Sequence, residues 1–238
     1  MTMETENIQK VPTLDDRLMT AASYVRHDGV VCDIGTDHAY IPIWLLCKGI
    51  CSRAVASDIN KGPLMRARQH AEEYGVAEKI AFYLSDGLDT VEPEENGVTD
   101  ICICGMGGEL TASILERGMY TRKPEVQMIL QPMSSAYELR AYCTANGYTI
   151  ADEKLCKANG KIYSCMSVFY TNEKTTYSEG ELLLGKRNIE KREALFEEYA
   201  ERHLAALDKK IKGRTAGGLD ITYETGLRAE LTEIISGK

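Results

Sequence analysis

Positive charge is what this chain has too little of: 28 Lys and Arg stand against 36 Asp and Glu in 238 residues, a formal net charge of −8. That balance argues against capture of nucleic acid by bulk electrostatics, which needs clustered cations, so an RNA partner would have to meet a local basic patch. Long apolar runs are missing too. No stretch approaches the roughly 18 apolar residues of a membrane-spanning helix. The N-terminal Met1-Thr-Met-Glu-Thr-Glu lacks the basic-then-apolar layout of a secretory signal, so no membrane association is expected and the expected compartment is the cytoplasm. The eight cysteines, at 32, 47, 51, 102, 104, 143, 156 and 165, include no C-x-x-C pair and read as reduced core residues. Cys102 and Cys104 are expected on opposite faces of a strand, and no Cys/His pair completes a tetrahedral set, so no metal is expected.

What is present is an alternation. With 44% hydrophobic and 27% charged residues the composition is globular. Thr13-Leu-Asp-Asp is a capping pattern opening an amphipathic helix over 13–26. Apolar runs follow, each succeeded by a helical pattern: Val30-Val-Cys-Asp-Ile then 38–48, Ala54-Val-Ala-Ser then 61–74, and Ile80-Ala-Phe-Tyr-Leu. The series goes on with Asp100-Ile-Cys-Ile-Cys then 108–117, and Val126-Gln-Met-Ile-Leu then 135–146. Such a chain builds right-handed βαβ crossovers and a mostly parallel sheet with helices on both faces. The pattern changes at Tyr148, where two strand-like runs joined by Lys157-Ala-Asn-Gly-Lys predict an antiparallel hairpin closing the sheet. From Ser178 strand signals stop. Ile189, Phe196, Tyr199, His203, Leu207 and Ile211 form one apolar helical stripe and Leu227, Leu231, Ile234 and Ile235 a second, which predicts an antiparallel, coiled-coil-like pair. His203 reads as a packed or rim residue of that stripe. The division is an α/β domain over 1–174 and a helical arm over 175–238. The arm carries 11 Lys and Arg against 12 Asp and Glu, the rest 17 against 24, so the arm is the less acidic part.

Four segments carry chemistry, and all fall at ends of predicted strands. After the first strand stands Asp33-Ile-Gly-Thr-Asp-His-Ala-Tyr-Ile-Pro. An acid at the strand end followed by Gly35 in the turn suits an adenosyl ligand lying close to the backbone. The dinucleotide pattern G-x-G-x-x-G is absent, with Thr36 and Asp37 where glycines would stand, and this disfavours a pyrophosphate. A sulfonium ligand tolerates carboxylates better. Asp58, with Ile59 beside it, closes the second strand 25 positions after Asp33, near the offset at which an acid reaches a ribose diol. Ser85-Asp86-Gly87 follows the third strand. Cys104-Gly105-Met106-Gly107-Gly108 ends the fourth, where Gly105 serves the ligand and Met106, Gly107 and Gly108 would admit a flat base. The Asn/Asp-Pro-Pro-aromatic motif of exocyclic-amine methylation does not occur there. Acids on three consecutive strands of one parallel sheet converge on one edge.

Asp33 to Pro42, Gly105-Met-Gly-Gly108, Leu130-Gln131-Pro132 and the helical tail together resemble the bacterial tRNA (adenine-22-N1)-methyltransferase family over nearly the whole chain. Met133 departs from it, standing where asparagine is common. The resemblance implies a Rossmann-like methyltransferase fold, S-adenosyl-L-methionine as cofactor and tRNA as partner. It implies Asp37, with His38 and Tyr40, at the reacting base; Asp33, Gly35, Asp58, Ile59, Asp86, Gly87 and Gly105 around the cofactor; and Met106, Gly107, Gly108, Gln131 and Pro132 around the substrate. A small-molecule methyltransferase and a non-catalytic adaptor are the competing readings. Monomer and homodimer both stay open, as does whether the arm grips RNA or dimerises.

Overall fold

A computed structural model describes residues 10–237. Helix α1 (Asp16–Ala22) leads into β1 (Val30–Ile34), α2 (Tyr40–Cys47), β2 (Arg53–Asp58), α3 (Lys61–Glu73), β3 (Ile80–Leu84), the one-turn α4 (Pro93–Asn96), β4 (Asp100–Gly107), α5 (Gly108–Arg117), β5 (Gln127–Ser134) and α6 (Ala136–Ala145). Two long strands follow, β6 (Tyr148–Ala158) and β7 (Lys161–Tyr170), and then α7 (Glu179–Leu184), α8 (Lys186–Lys191), α9 (Phe196–Ala216) and α10 (Thr222–Ser236).

The strands form one seven-stranded sheet in the order β3-β2-β1-β4-β5-β7-β6. The first five are parallel, while β7 runs antiparallel to both β5 and β6. This is the Rossmann-like methyltransferase sheet with its terminal hairpin, as the sequence implied. Asn159 and Gly160, both at positive φ (50° and 74°), make the two-residue turn, a geometry that matches the twist of the flanking strands. Alternate strand residues feed separate cores. Val31 and Cys102 pack with α1, α2 and α3 on one face, and Cys32, Ile101 and Ile103 with α5 and α6 on the other. The expectation that Cys102 and Cys104 oppose each other was wrong: residues two apart in a strand share a face, and both thiols are pushed well above their ordinary pKa by burial.

Two helix starts also need correction. Helix α1 is capped by Asp15, whose side chain accepts from the Leu18 amide at 2.8 Å, rather than by Thr13, and it is shorter than the pattern suggested. Helix α2 begins at Tyr40 because His38 (φ 67°) and Ala39 (φ 51°) are left-handed and cannot continue a right-handed turn. In the arm, the stripe from Ile189 to Ile211 is not one helix: Arg192, at φ 49°, ends α8 and puts Ile189 on a separate element from Phe196. α9 and α10 pair antiparallel, joined by Arg228 to Asp208 (2.6 Å) near the middle, and Arg192 at the end of α8 donates to the Ile234 carbonyl near the end of α10 (2.8 Å). Their buried side chains, Phe196, Tyr199, Leu207 and Leu231, form a third core that also takes in Leu155 and Ile162 of the hairpin. Beneath it Arg140 of α6 and Glu153 of β6 pair at 2.8 Å with neither side chain exposed, and Arg140 donates on to the carbonyls of Leu182 and Leu183. No helix among the described residues is long and apolar enough to cross a membrane.

Candidate active site

Strand order reverses between β1 and β4, since β2 and β3 lie to one side and β5 to the other, and a parallel sheet opens a crevice at such a point. A cavity of about 430 Å³ lies there, with Asp33, Gly35, Asp37 and Tyr40 from the β1 end, Gly105 from the β4 end, and Arg17 of α1 with its cap Asp15. Five of the sequence-selected residues thus come together.

The β1 loop explains its own residue types. Gly35 stands at φ 73°, a left-handed conformation that strains any side chain, and a Cβ there would also have to displace the Met106 methyl carbon, 1.9 Å away. The amides of Gly35 and Thr36 are both spent on the Ser57 carbonyl at 2.8 Å and are not free to cradle a phosphate. Asp33 is buried and accepts from the Thr36 hydroxyl at 2.6 Å. Burial pushes its pKa up to about 7, against the Thr36 bond, which lowers it, and with help from the Asp58 charge. Asp37 is exposed and takes Arg66 of α3 at 2.9 Å, with His38 Nε2 at 3.6 Å. The His38 carbonyl meets His70 Nδ1 at 2.7 Å, and the rings of His38, Tyr40, His70 and Tyr74 form a cluster with centroids 5.0–6.0 Å apart.

At the β4 end Gly105 sits in a register shift at φ 83° and its amide donates to Gln131 Oε1 at 3.2 Å. The same oxygen accepts from Arg17 Nη1 at 2.8 Å, so the fully buried Gln131 ties α1 to the strand end.

The remaining expected residues stand outside the cavity. Asp58 accepts from the Asn60 amide at 2.7 Å and is followed by Ile59, 60% exposed at the sheet edge. Asp86 is engaged by Arg117 of α5, at 3.0 and 3.3 Å. Gly87 (φ 62°) rests on Ile114. Gly107 and Gly108 turn into α5, and Gly108 has a packing reason of its own, since a Cβ would lie 2.0 Å from the Ser135 carbonyl oxygen. Pro132 is buried beside Gln131. Sequence reasoning missed Arg17, Arg66 and His70. The last two had a signal, because Arg66, His70 and Tyr74 recur every four residues and share one face of the helix and its cap. Arg17 had none, being one polar residue in an amphipathic turn.

Residues 14–166 match the family model described as a methyltransferase domain. The chain is 35% identical over 153 residues to the tRNA (adenine(22)-N(1))-methyltransferase of Bacillus subtilis, an alignment covering 64% of this chain and 63% of that protein. It is similar to a Streptococcus pneumoniae protein, solved in complex with S-adenosyl-L-methionine and described as a candidate methyltransferase for the same tRNA adenine. There the TM-score is 0.82 at 28% identity, covering 94% of this chain and all of that one. The solved Bacillus subtilis tRNA methyltransferase gives a TM-score of 0.78 at 26% identity over 94% of this chain and 96% of that one.

Proposed function

The chain belongs to the methyltransferase-domain family, and we propose on that premise that it transfers a methyl group from S-adenosyl-L-methionine to N1 of adenine 22 in tRNA, in the cytoplasm. The observation that carries the reading is the cavity at the β1/β4 switch point, which collects the motif residues where the fold binds its ligand.

The residues present fit the cofactor. Gly35 lines the cavity with bare backbone, and Arg17 is the cation lining it, suited to a carboxylate, with Asp15 and Asp37 suited to an ammonium group. Asp58 stands at the end of β2 for a ribose diol, and exposed Ile59 gives an adenine ring an apolar wall. Gly87 and Gly105 keep backbone close on either side. Asp86 reaches an adenine amino group only by sharing itself with Arg117. When bound, the cofactor supplies an electrophilic methyl group.

Adenine N1 has a lone pair and no proton, so no base has to act before attack, and positioning supplies most of the acceleration. The product ring is cationic, and Asp37, paired with Arg66 in the free protein, stands at the cavity to hold the amino group and stabilise that charge. His38 and Tyr40 provide flat walls beside it. Met106, Gly107, Gln131 and Pro132 shape the β4 and β5 ends over which the base enters; Gly108 keeps that turn close. Because N1 lies on the pairing edge, the adenine must be unpaired or flipped. Residues 1–174 form the catalytic unit and 175–238 the arm, and the working unit is a monomer, since the apolar stripes of α9 and α10 face each other and, through Leu155 and Ile162, the hairpin.

The test is transfer of labelled methyl from the cofactor into tRNA transcripts with adenine or guanine at position 22, beside a pool of metabolites. Incorporation only into the adenine-22 transcript is expected. Label in the metabolites alone, or cofactor binding without transfer to either, would overturn the reading.

A further inference from the structure

A second opening, a cleft of about 290 Å³, lies where the arm meets the sheet. Met133 from the end of β5, Lys161 and Tyr163 from the start of β7, and Tyr199, Arg202 and His203 from α9 line it. One buried residue links its lining to that of the cavity. Gln131, which holds Arg17 and the Gly105 amide at the cavity, also places its side-chain nitrogen 3.9 Å from Met133 Sδ at the cleft.

The lining has an unusual balance. Among the described residues nothing hydrogen-bonds the Lys161 ammonium, the Tyr163 hydroxyl or either ring nitrogen of His203, whose ring meets the Tyr199 ring edge-on with centroids 4.6 Å apart. Burial first, and the nearby Arg140 charge second, hold the His203 pKa down at about 4, so near neutral pH its ring is an uncharged aromatic plate. Arg202 bridges the two walls, donating to the Gly160 carbonyl of the hairpin turn at 2.9 Å and to Glu198 at 2.6 Å. Neutral aromatic walls with a cation on the rim are what an unstacked nucleotide requires: ring faces for the base and an ammonium for its phosphate. The net negative charge elsewhere repels a bulk polyanion, so a nucleic acid has to be met at a local site of this kind.

Resting on the tRNA reading, we infer that this cleft is a second nucleotide subsite. It receives an unpaired nucleotide flanking the methylated adenine, with the base against Tyr163 and His203 and a phosphate on Lys161. An adenine drawn out of a helical stack strains its neighbours, and a built place for one of them offsets that strain. This assigns a function to the arm that needs no net positive charge: α9 supplies one wall of a cleft whose other wall is the hairpin.

The experiment uses the full chain and an adenine-22 tRNA transcript, reading KM and kcat separately, cofactor affinity by calorimetry, and a melting curve. Tyr163→Ala is expected to raise KM for tRNA about tenfold, the scale of one lost base–aromatic stack, with cofactor affinity unchanged. Tyr163→Phe, which keeps the ring, stays near the wild type. Lys161→Gln, at an exposed position that carries no fold, is expected to reduce the log–log salt slope of tRNA binding by about 0.7–0.9, one phosphate contact. Folded Tyr163→Ala and Lys161→Gln variants with wild-type KM and salt slope would overturn the subsite while leaving tRNA methylation standing. A wild-type protein that binds cofactor but methylates no tRNA would overturn both.

Discussion

The molecule holds two sets of paired charges at opposite extremes of exposure. Around the cavity, Asp37 and Arg66 meet with side chains 60% and 47% exposed, whereas Arg140 and Glu153 under the arm meet with none. An exposed pair contributes about 0–1 kcal/mol, so the cavity pair is cheap to rearrange when a ligand arrives. A buried pair has lost several kcal/mol of hydration per ion and recovers it only through its partner and neighbouring dipoles. Arg140 shows that recovery: burial works to lower its pKa, yet the Glu153 carboxylate and the Tyr199 hydroxyl hold it above the ordinary value. One pair is available for chemistry. The other fixes α6, β6 and α7 together and with them the position of the arm.

The largest effect should come from breaking the closed pair. Arg140→Met is expected to destabilise the fold by about 3–5 kcal/mol, because it strands a buried carboxylate, while Arg66→Ala costs under about 1 kcal/mol. Adding Glu153→Leu to Arg140→Met should restore most of the loss. Urea unfolding of the four proteins reads this directly, and an Arg140→Met protein no weaker than Arg66→Ala would erase the distinction between the two sites.

Next in size is the effect on chemistry at the open site. Asp37→Ala should leave the melting temperature within a degree or two and lower tRNA methylation on the order of 100-fold, about 2.7 kcal/mol in barrier. Single-turnover methylation at saturating tRNA isolates that step. Survival within about threefold would take Asp37 out of the reacting group and leave it a surface partner of Arg66.

How far each site could be read from sequence follows the same division. The sheet, its hairpin and the cavity loops were legible because they depend on local rules: β-branched runs, the Asn159-Gly160 turn, and acids placed at strand ends. Arg17 was not, since its role exists only once α1 has folded over the end of β4 to meet Gln131. Neither was the Arg140–Glu153 pair. Arg140 lies in a stretch that reads as an ordinary helix, and nothing in periodicity says that its outward-looking face will be covered by α7 and the arm. The arm itself was half legible: both apolar stripes were visible, but the break at Arg192, which splits the first stripe, depends on a left-handed residue that the composition does not favour. Long-range closure is what a linear reading loses, and here it hid a cavity-lining cation and a structural one alike.

The most gradual expected effect, spread over about three pH units, tests whether the open site sacrifices stability. Asp33 is the exception among the cavity acids, being buried, and its pKa is lifted from the ordinary 3.8 to about 7. A raised folded-state pKa means that the folded protein binds this proton more tightly than the unfolded chain does. Its contribution to stability is therefore fully present below about pH 4, falls as pH rises through about 7, and is gone above that. One proton gives a slope of at most ~1.4 kcal/mol per pH unit. Asp33→Asn keeps the shape and can still accept the Thr36 hydroxyl, but it cannot ionise. The difference in unfolding free energy between wild type and variant should thus slope downward from pH 5 to 7 and flatten by pH 8, where the variant is the more stable protein. Parallel stability profiles would mean that water or local motion solvates the carboxylate in the folded state. A diverging pair of profiles would show that the sheet edge carries a charge the fold alone would not choose, as expected of a group kept there for a ligand.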